Sequence, residues 1–153
     1  MPSRLGDSVP FLLNRAMTRF SNLFARHVED HGLSLAMWRV LAVLDDEGEL
    51  KLGAVARLTC IELSTLSRIA AGLEGRGLIR RRRCGSDARA VLAGLTDDGR
   101  GLAATIRPHA EACELAACDG MNATEMDVLR HLLGRLSGPP LSSAGGTGDV
   151  ANV

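Results

Sequence analysis

Between Leu63 and Arg100 the apolar pattern changes period twice, from helical spacing to strict alternation and back. Few folds tolerate that. In ELSTLSRIAAGLEGR the residues Leu63, Leu66, Ile69, Ala70 and Leu73 recur at helical spacing and predict one buried stripe. Gly77 stands where a C-terminal cap is needed. Beyond it, residues 78–83 and 90–95 read as two short strands around the turn residues CGSD, a β-hairpin. Thr96, followed by Asp97 and Asp98, then caps a long helix to about Cys118, with its acids at the positive end of the helix dipole. Upstream, GAVARL predicts a short helix joined to the Leu63 helix by the turn Thr59-Cys60-Ile61. Two helices joined by a tight turn and followed by a basic hairpin make a winged helix-turn-helix.

The rest of the chain frames that unit. From Phe11 to His31, helical spacing runs through Leu13, Ala16, Met17, Phe20, Leu23, Phe24, His27 and Val28. Gly32 ends this helix, and Ser34 is the expected N-cap of LAMWRVLAVL, which Asp45-Asp46-Glu47-Gly48 breaks. ELKL is a short extended piece. Asn122 with Glu125 forms a capping box ahead of MDVLRHLLGRL, and SGPPLSSAGGTGDVANV has no periodicity and is expected to be disordered. The expected organisation is an N-terminal dimerisation helix at 1–33 and a winged helix-turn-helix at 34–95. C-terminal dimerisation helices at 96–136 and a disordered tail at 137–153 complete it. The fold class is mainly α with a small β-wing. The flanking helices carry apolar stripes that nothing else in the chain covers, which predicts a homodimer with its reading helices about one DNA turn apart.

Charge supports the assignment. The chain of 153 residues is formally neutral, with 18 cations and 18 acids. Residues 63–95, however, hold seven arginines against two acids, a surplus of five. No export signal opens the chain, because Asn14 and Arg15 interrupt Val9–Leu13, and no apolar run is long enough to span a bilayer. Cys60, Cys84, Cys113 and Cys118 show no metal-ligand or disulfide spacing. A cytoplasmic protein without cofactor, metal or membrane partner is expected. Neither GxSxG, HExxH nor a phosphate-binding glycine loop is present, so an enzyme is not expected.

Taken together, the blocks LAMWRVLAVL, LSTLSRIAAGLEGRGLIRR, SDARAVLAGLTDDGR and MNATEMDVLRHLLGRL resemble the MarR family of bacterial transcriptional regulators, over roughly residues 11–136. The resemblance implies a homodimeric winged-helix regulator, a repressor released from a pseudo-palindromic operator by a small aromatic or phenolic effector. It also implies an effector pocket between the dimer helices and the DNA-binding lobe. The family's wing carries Asp-Arg-Arg; here it reads Asp87-Ala88-Arg89 and lacks one cation.

The residue types suit double-stranded DNA, whose phosphates are bound by cations that displace counterions. On the reading helix, Ser64, Thr65, Ser67 and Arg68 lie off the stripe, with Arg68 able to hold guanine by two hydrogen bonds. Arg89 stands near the wing tip, where an arginine can enter a narrowed minor groove, and Asp87 is placed to orient it. In the run Arg80–Arg83, alternate residues face opposite ways, and Arg82 and Arg83 are the expected backbone contacts. Effector-pocket candidates are Arg15, Phe20, Phe24, His27, His31 and Trp38. His27 and His31 have the i, i+4 spacing of two metal ligands, but hydrogen-bonded histidines lining a cleft are commoner. The alternatives are a redox- or metal-responsive regulator of this fold and a winged-helix interaction module that does not touch DNA.

Overall fold

The computed structural model describes residues 4–138, without the side chains of Asp87 and Ala88. A single 3-10 turn, Leu5–Asp7, precedes α1 (Val9–Glu29). Then follow α2 (Leu35–Glu47), β1 (Leu50–Lys51), α3 (Leu52–Thr59), α4 (Leu63–Gly75), β2 (Ile79–Cys84), β3 (Asp87–Leu95), α5 (Asp97–Ala117) and α6 (Ala123–Leu136). The chain is mainly helical with a three-stranded antiparallel sheet in the order β1-β3-β2. No helix among the described residues is long and apolar enough to cross a membrane.

Helix ends follow their local chemistry. Ser34 and Thr96 accept the backbone N–H of Met37 and Gly99 at 3.2 and 3.0 Å, and Asn122 and Glu125 form the reciprocal capping box. At the end of α4, Gly77 adopts φ +71°, its N–H meets Glu74 O, and Leu78 N–H meets Leu73 O. That is a Schellman cap, sealed by contact between buried Leu73 and Leu78. α3 ends the same way with Cys60 at φ +54°, so a residue with a Cβ holds a conformation that glycine adopts freely.

The described residues form two compact units, one up to Gly120 and one from Met121. In the first, the core is aliphatic and is built from Val40, Leu41 and Leu44 of α2, Val55 of α3, Leu66, Ala70 and Leu73 of α4, Ile79 and Leu95 of the sheet, and Ile106 of α5. Phe24 meets Trp38 edge-on, with centroids 5.7 Å apart. The second unit's helix, α6, has no buried residue and exposes Val128, Leu132 and Leu136.

The structure shifts several expected boundaries. α1 begins at Val9 rather than Phe11, because Pro10 is well accommodated in a first turn. The hairpin turn is only Gly85-Ser86, since Cys84 and Asp87 pair with each other across the strands. Leu63 is 51 % exposed and not part of the buried stripe. It opens α4, where the chain turns in from the preceding loop and the core-facing residues begin at Leu66. The tail from residue 139 lies outside the described residues.

Candidate nucleic-acid interface and adjoining pocket

α4 buries Leu66, Ala70 and Leu73, which leaves the opposite side to solvent. Ser64 and Arg68 are exposed there, with Thr65 and Ser67 half-buried beside them. The Ser67 hydroxyl donates to Leu63 O at 2.9 Å and the Ser64 hydroxyl to Glu62 Oε1 at 2.8 Å. Both serines have thus spent their hydrogen and offer lone pairs outward. Arg68 pairs with no acid among the described residues, and it is the face's strong donor.

The arginine run is divided by its partners. Arg81 holds Glu74 of α4 by Nε–H and Nη2–H, at 2.9 and 2.6 Å, and its backbone N–H donates to the same carboxylate at 2.9 Å. β2 lies against α4, and Arg81 is half-buried there. On the other face, Arg82 makes a forked pair with Glu49, with Nε–H at 3.1 Å from Oε2. Glu49 precedes β1, so its side chain must cross β3 to reach β2, and it does so over Gly94. A Cβ at Gly94 would lie 3.4 Å from Glu49 Cβ. The arginine hydrogen bonds, the largest cause, hold both carboxyls below the usual glutamate range, against an opposing effect of burial. Arg83 is exposed and pairs with no acid among the described residues, and Arg80 is exposed.

Near the tip, the β2–β3 register shifts between Arg83, opposite Val91, and Cys84, opposite Asp87. Extra β3 residues therefore bulge, and Arg89 lies in that bulge with its side chain exposed. The side chain of Asp87, expected to orient Arg89, lies outside the described residues.

A cavity of about 200 Å³ opens between α1, α2 and α5, lined among others by Met17, Phe20, Phe24, Trp38, Arg39 and Cys113. Three of the six residues chosen from sequence, Phe20, Phe24 and Trp38, meet there; the other three lie elsewhere. Arg15 lines an open groove along α1 with Thr18, Arg19 and Asn22. His27 stacks on His109 of α5, with centroids 4.6 Å apart. His31 lies in the α1–α2 turn, where its carbonyl accepts Arg76 Nη2–H at 2.8 Å, while Arg76 Nη1–H reaches Gly32 O at 2.6 Å. No group of three His, Cys, Asp or Glu among the described residues could hold a metal ion. Cys113 is buried, its thiol 3.4 Å from Leu23 O.

Sequence reasoning passed over Glu49, Glu74 and Arg76, whose roles depend on contacts with residues 7 to 45 positions away. Arg39 is legible from sequence, as one of three arginines (with Arg15 and Arg19) that could meet a ligand carboxylate, and of the three it lines this cavity.

The MarR family model matches residues 33–91. The solved structure of BpsR from Bordetella bronchiseptica, whose DNA binding is regulated by 6-hydroxynicotinic acid, is 31 % identical with a TM-score of 0.82, covering 92 % of this chain and 100 % of that one. A MarR-family transcriptional regulator from Silicibacter pomeroyi is 30 % identical with a TM-score of 0.78, covering 92 % and 96 %. The homoprotocatechuate degradative operon repressor of Escherichia coli is 26 % identical over 127 residues, 83 % of this chain and 86 % of that protein.

Proposed function

The chain belongs to the MarR family and is a DNA-binding transcriptional regulator, and on that premise we propose that it represses as a homodimer and leaves its operator when an aromatic acid fills the α1–α2–α5 cavity. The observation that carries the reading is the joint presentation, on one basic segment, of the exposed α4 face with Arg68 and of a wing with Arg80, Arg83 and Arg89 outward. Ser64, Thr65, Ser67 and Arg68 take base edges, Arg83 and Arg82 take phosphates, and Arg89, oriented by Asp87, takes the minor groove. The exposed apolar residues of α1 (Val9, Leu12, Leu23) and of α6 (Val128, Leu132, Leu136) supply the dimer contact. The protein acts in the cytoplasm, where its DNA is.

The cavity suits one aromatic ring, since a void of about 150 Å³ already admits benzene. Phe20, Phe24 and Trp38 give the ring its apolar walls, and the Arg39 guanidinium is the cation that a carboxylate needs. Occupancy reaches the DNA face through Arg76. The cavity walls of α1 and α2 meet at the turn whose carbonyls Arg76 grips, and Arg76 directly follows α4. A ligand that favours one α1–α2 arrangement therefore favours one setting of α4, a shift of population between two states.

The test is selection of bound sequences from random duplex DNA by the full chain, followed by titration. Pseudo-palindromic sites with half-sites about one helical turn apart are expected. If about 6–10 phosphates are neutralised, affinity falls roughly 10³–10⁵-fold between 50 and 200 mM salt. A flat salt response refutes the DNA-contact assignment. Binding by a monomer refutes the dimer, and undiminished binding in saturating 6-hydroxynicotinic and hydroxyphenyl acids refutes the effector class.

A further inference from the structure

Glu62 is the residue immediately before α4, with extended backbone (φ −57°, ψ 140°). An acid there is out of keeping with its surroundings. The segment that follows carries five more arginines than acids, and the surface it forms is the one that approaches phosphate. Glu62 does not use its carboxylate to cap the helix, for no side-chain cap hydrogen bond is made. It forms no ion pair among the described residues. Among the described residues its carboxylate takes one hydrogen bond, from the Ser64 hydroxyl to Oε1 at 2.8 Å, and Glu62 is exposed beside Ser64.

Resting on the DNA-binding function above, we infer that Glu62 is a specificity-determining residue that selects cytosine in the major groove at one position of each half-site. A carboxylate only accepts hydrogen bonds, and phosphate repels it. In the major groove only cytosine N4 and adenine N6 donate; guanine and thymine present acceptors. Adenine sets its N7 acceptor beside the N6 donor, against the second carboxylate oxygen, whereas cytosine has no acceptor at that edge. Ser64 and Ser67 have spent their hydroxyl hydrogens within the chain, so they add acceptors to the Glu62 end of the face. Arg68 stands at the other end as a donor and seeks guanine. The reading face is therefore polarised, with acceptors at its start and a donor two turns on. Six residues of helix span about 9 Å, which at about 3.4 Å per base pair sets the cytosine and guanine preferences two to three base pairs apart.

Sequence selection with the full chain and three variants tests this. The wild type should favour cytosine at the Glu62 position by about 5- to 150-fold, the range of one good base contact. Glu62→Ala should abolish that preference, leave the Arg68-dependent guanine preference in place, and bind non-cytosine sites more tightly because a repulsion is gone. Glu62→Gln, nearly isosteric and safe for folding, should move the preference from cytosine to adenine, which glutamine can hold at N6 and N7. Ser64→Ala should blunt the cytosine preference without shifting it. If wild type and both Glu62 variants select the same bases, or if the variants lose affinity on all sequences alike, Glu62 is only a helix-start acid and the inference is overturned. A wild type that selects no sequence would instead overturn the base-contact assignment of α4 from which the inference starts.

Discussion

Gly99→Ala is the substitution for which helix propensity and packing predict opposite signs. Gly99 is the third residue of α5, and alanine in a helix is worth about 1 kcal/mol over glycine. A Cβ at Gly99, however, would fall inside the Leu78 carbonyl oxygen, 3.0 Å from its carbon and 3.3 Å from Leu95 Cδ2. Backbone cannot rotate away as a side chain can, so the start of α5 must retreat by about 1.4 Å to restore ordinary contact. That retreat strains the joint between α5 and the wing. Thr96 N–H donates to Leu78 O at 3.1 Å, the Thr96 hydroxyl to Gly77 O at 2.6 Å, and Gly99 N–H to the Thr96 oxygen. Overpacking costs about 1–3 kcal/mol, and the strained cap and hydrogen bonds about 1 kcal/mol each. After the propensity gain, a net loss of about 3 kcal/mol remains.

Gly101 is the control, two residues along the same helix, where a Cβ would meet nothing within 4 Å. Gly101→Ala should be stabilising by about 0.5–1 kcal/mol. For a chain of this size each kcal/mol moves the thermal midpoint by roughly 3 °C. Gly99→Ala should therefore melt roughly 10 °C below wild type and Gly101→Ala about 2 °C above it. Unfolding followed by circular dichroism at one fixed protein concentration, because association adds to stability, reads both. If Gly99→Ala melts with or above Gly101→Ala, α5 does not abut the Leu78 carbonyl as described, and the reasoning fails.

Three further outcomes are expected. Arg68→Ala should cost about 1–3 kcal/mol at one operator position while Arg83→Ala weakens all sequences alike and lowers the salt slope by about 1, as titration of selected and scrambled duplexes will read; matching profiles for the two would refute the division of roles. Because the Arg81 hydrogen bonds depress the Glu74 carboxyl, their pair adds stability at neutral pH that is lost as pH falls through the lowered folded-state value. The melting difference between wild type and Glu74→Gln should thus shrink from pH 7 to pH 3, and a constant difference would contradict the pairing. Cys60→Gly should be stabilising by roughly 1 kcal/mol in urea unfolding, since glycine carries no penalty at φ +54°.

Much of this fold was legible because its signals are local. Ser34, Gly77, Thr96 and the Asn122–Glu125 box each act within a few residues of themselves, and each does in the structure what its spacing implies. The period change at Gly77 marks the wing for the same reason. Leu63 misled because periodicity assigns a face without knowing where the covering layer begins. The pocket was half legible. Aromatics on one stripe of α1 and the lone tryptophan of α2 converge, but His27 is drawn off by His109, more than eighty positions away.

The arginine run shows the same boundary between local and distant causes. Alternation along β2 separates Arg80 and Arg82 from Arg81 and Arg83, yet it cannot say which acids wait on either face. Glu74 reaches Arg81 because the Schellman turn folds β2 back along α4, and Glu49 reaches Arg82 because residue 94 has no side chain. Exposed pairs of this kind add little to stability. They act on geometry: two pairs tie the wing to α4 and to the residue before β1, so on the proposed reading Arg68 and Arg83, which pair with no acid among the described residues, meet DNA from a framework already set, with less order left to impose on binding. They also rank the cations. Arg82 can take a phosphate only by sharing or abandoning Glu49, whose charge would then face the same phosphates, whereas Arg83 abandons no carboxylate among the described residues. Arg83→Ala should therefore weaken DNA binding more than Arg82→Ala does, and Glu49→Gln should strengthen it. A larger loss at Arg82, or weaker binding by Glu49→Gln, would mean that the Glu49 pair positions Arg82 for phosphate instead of withholding it.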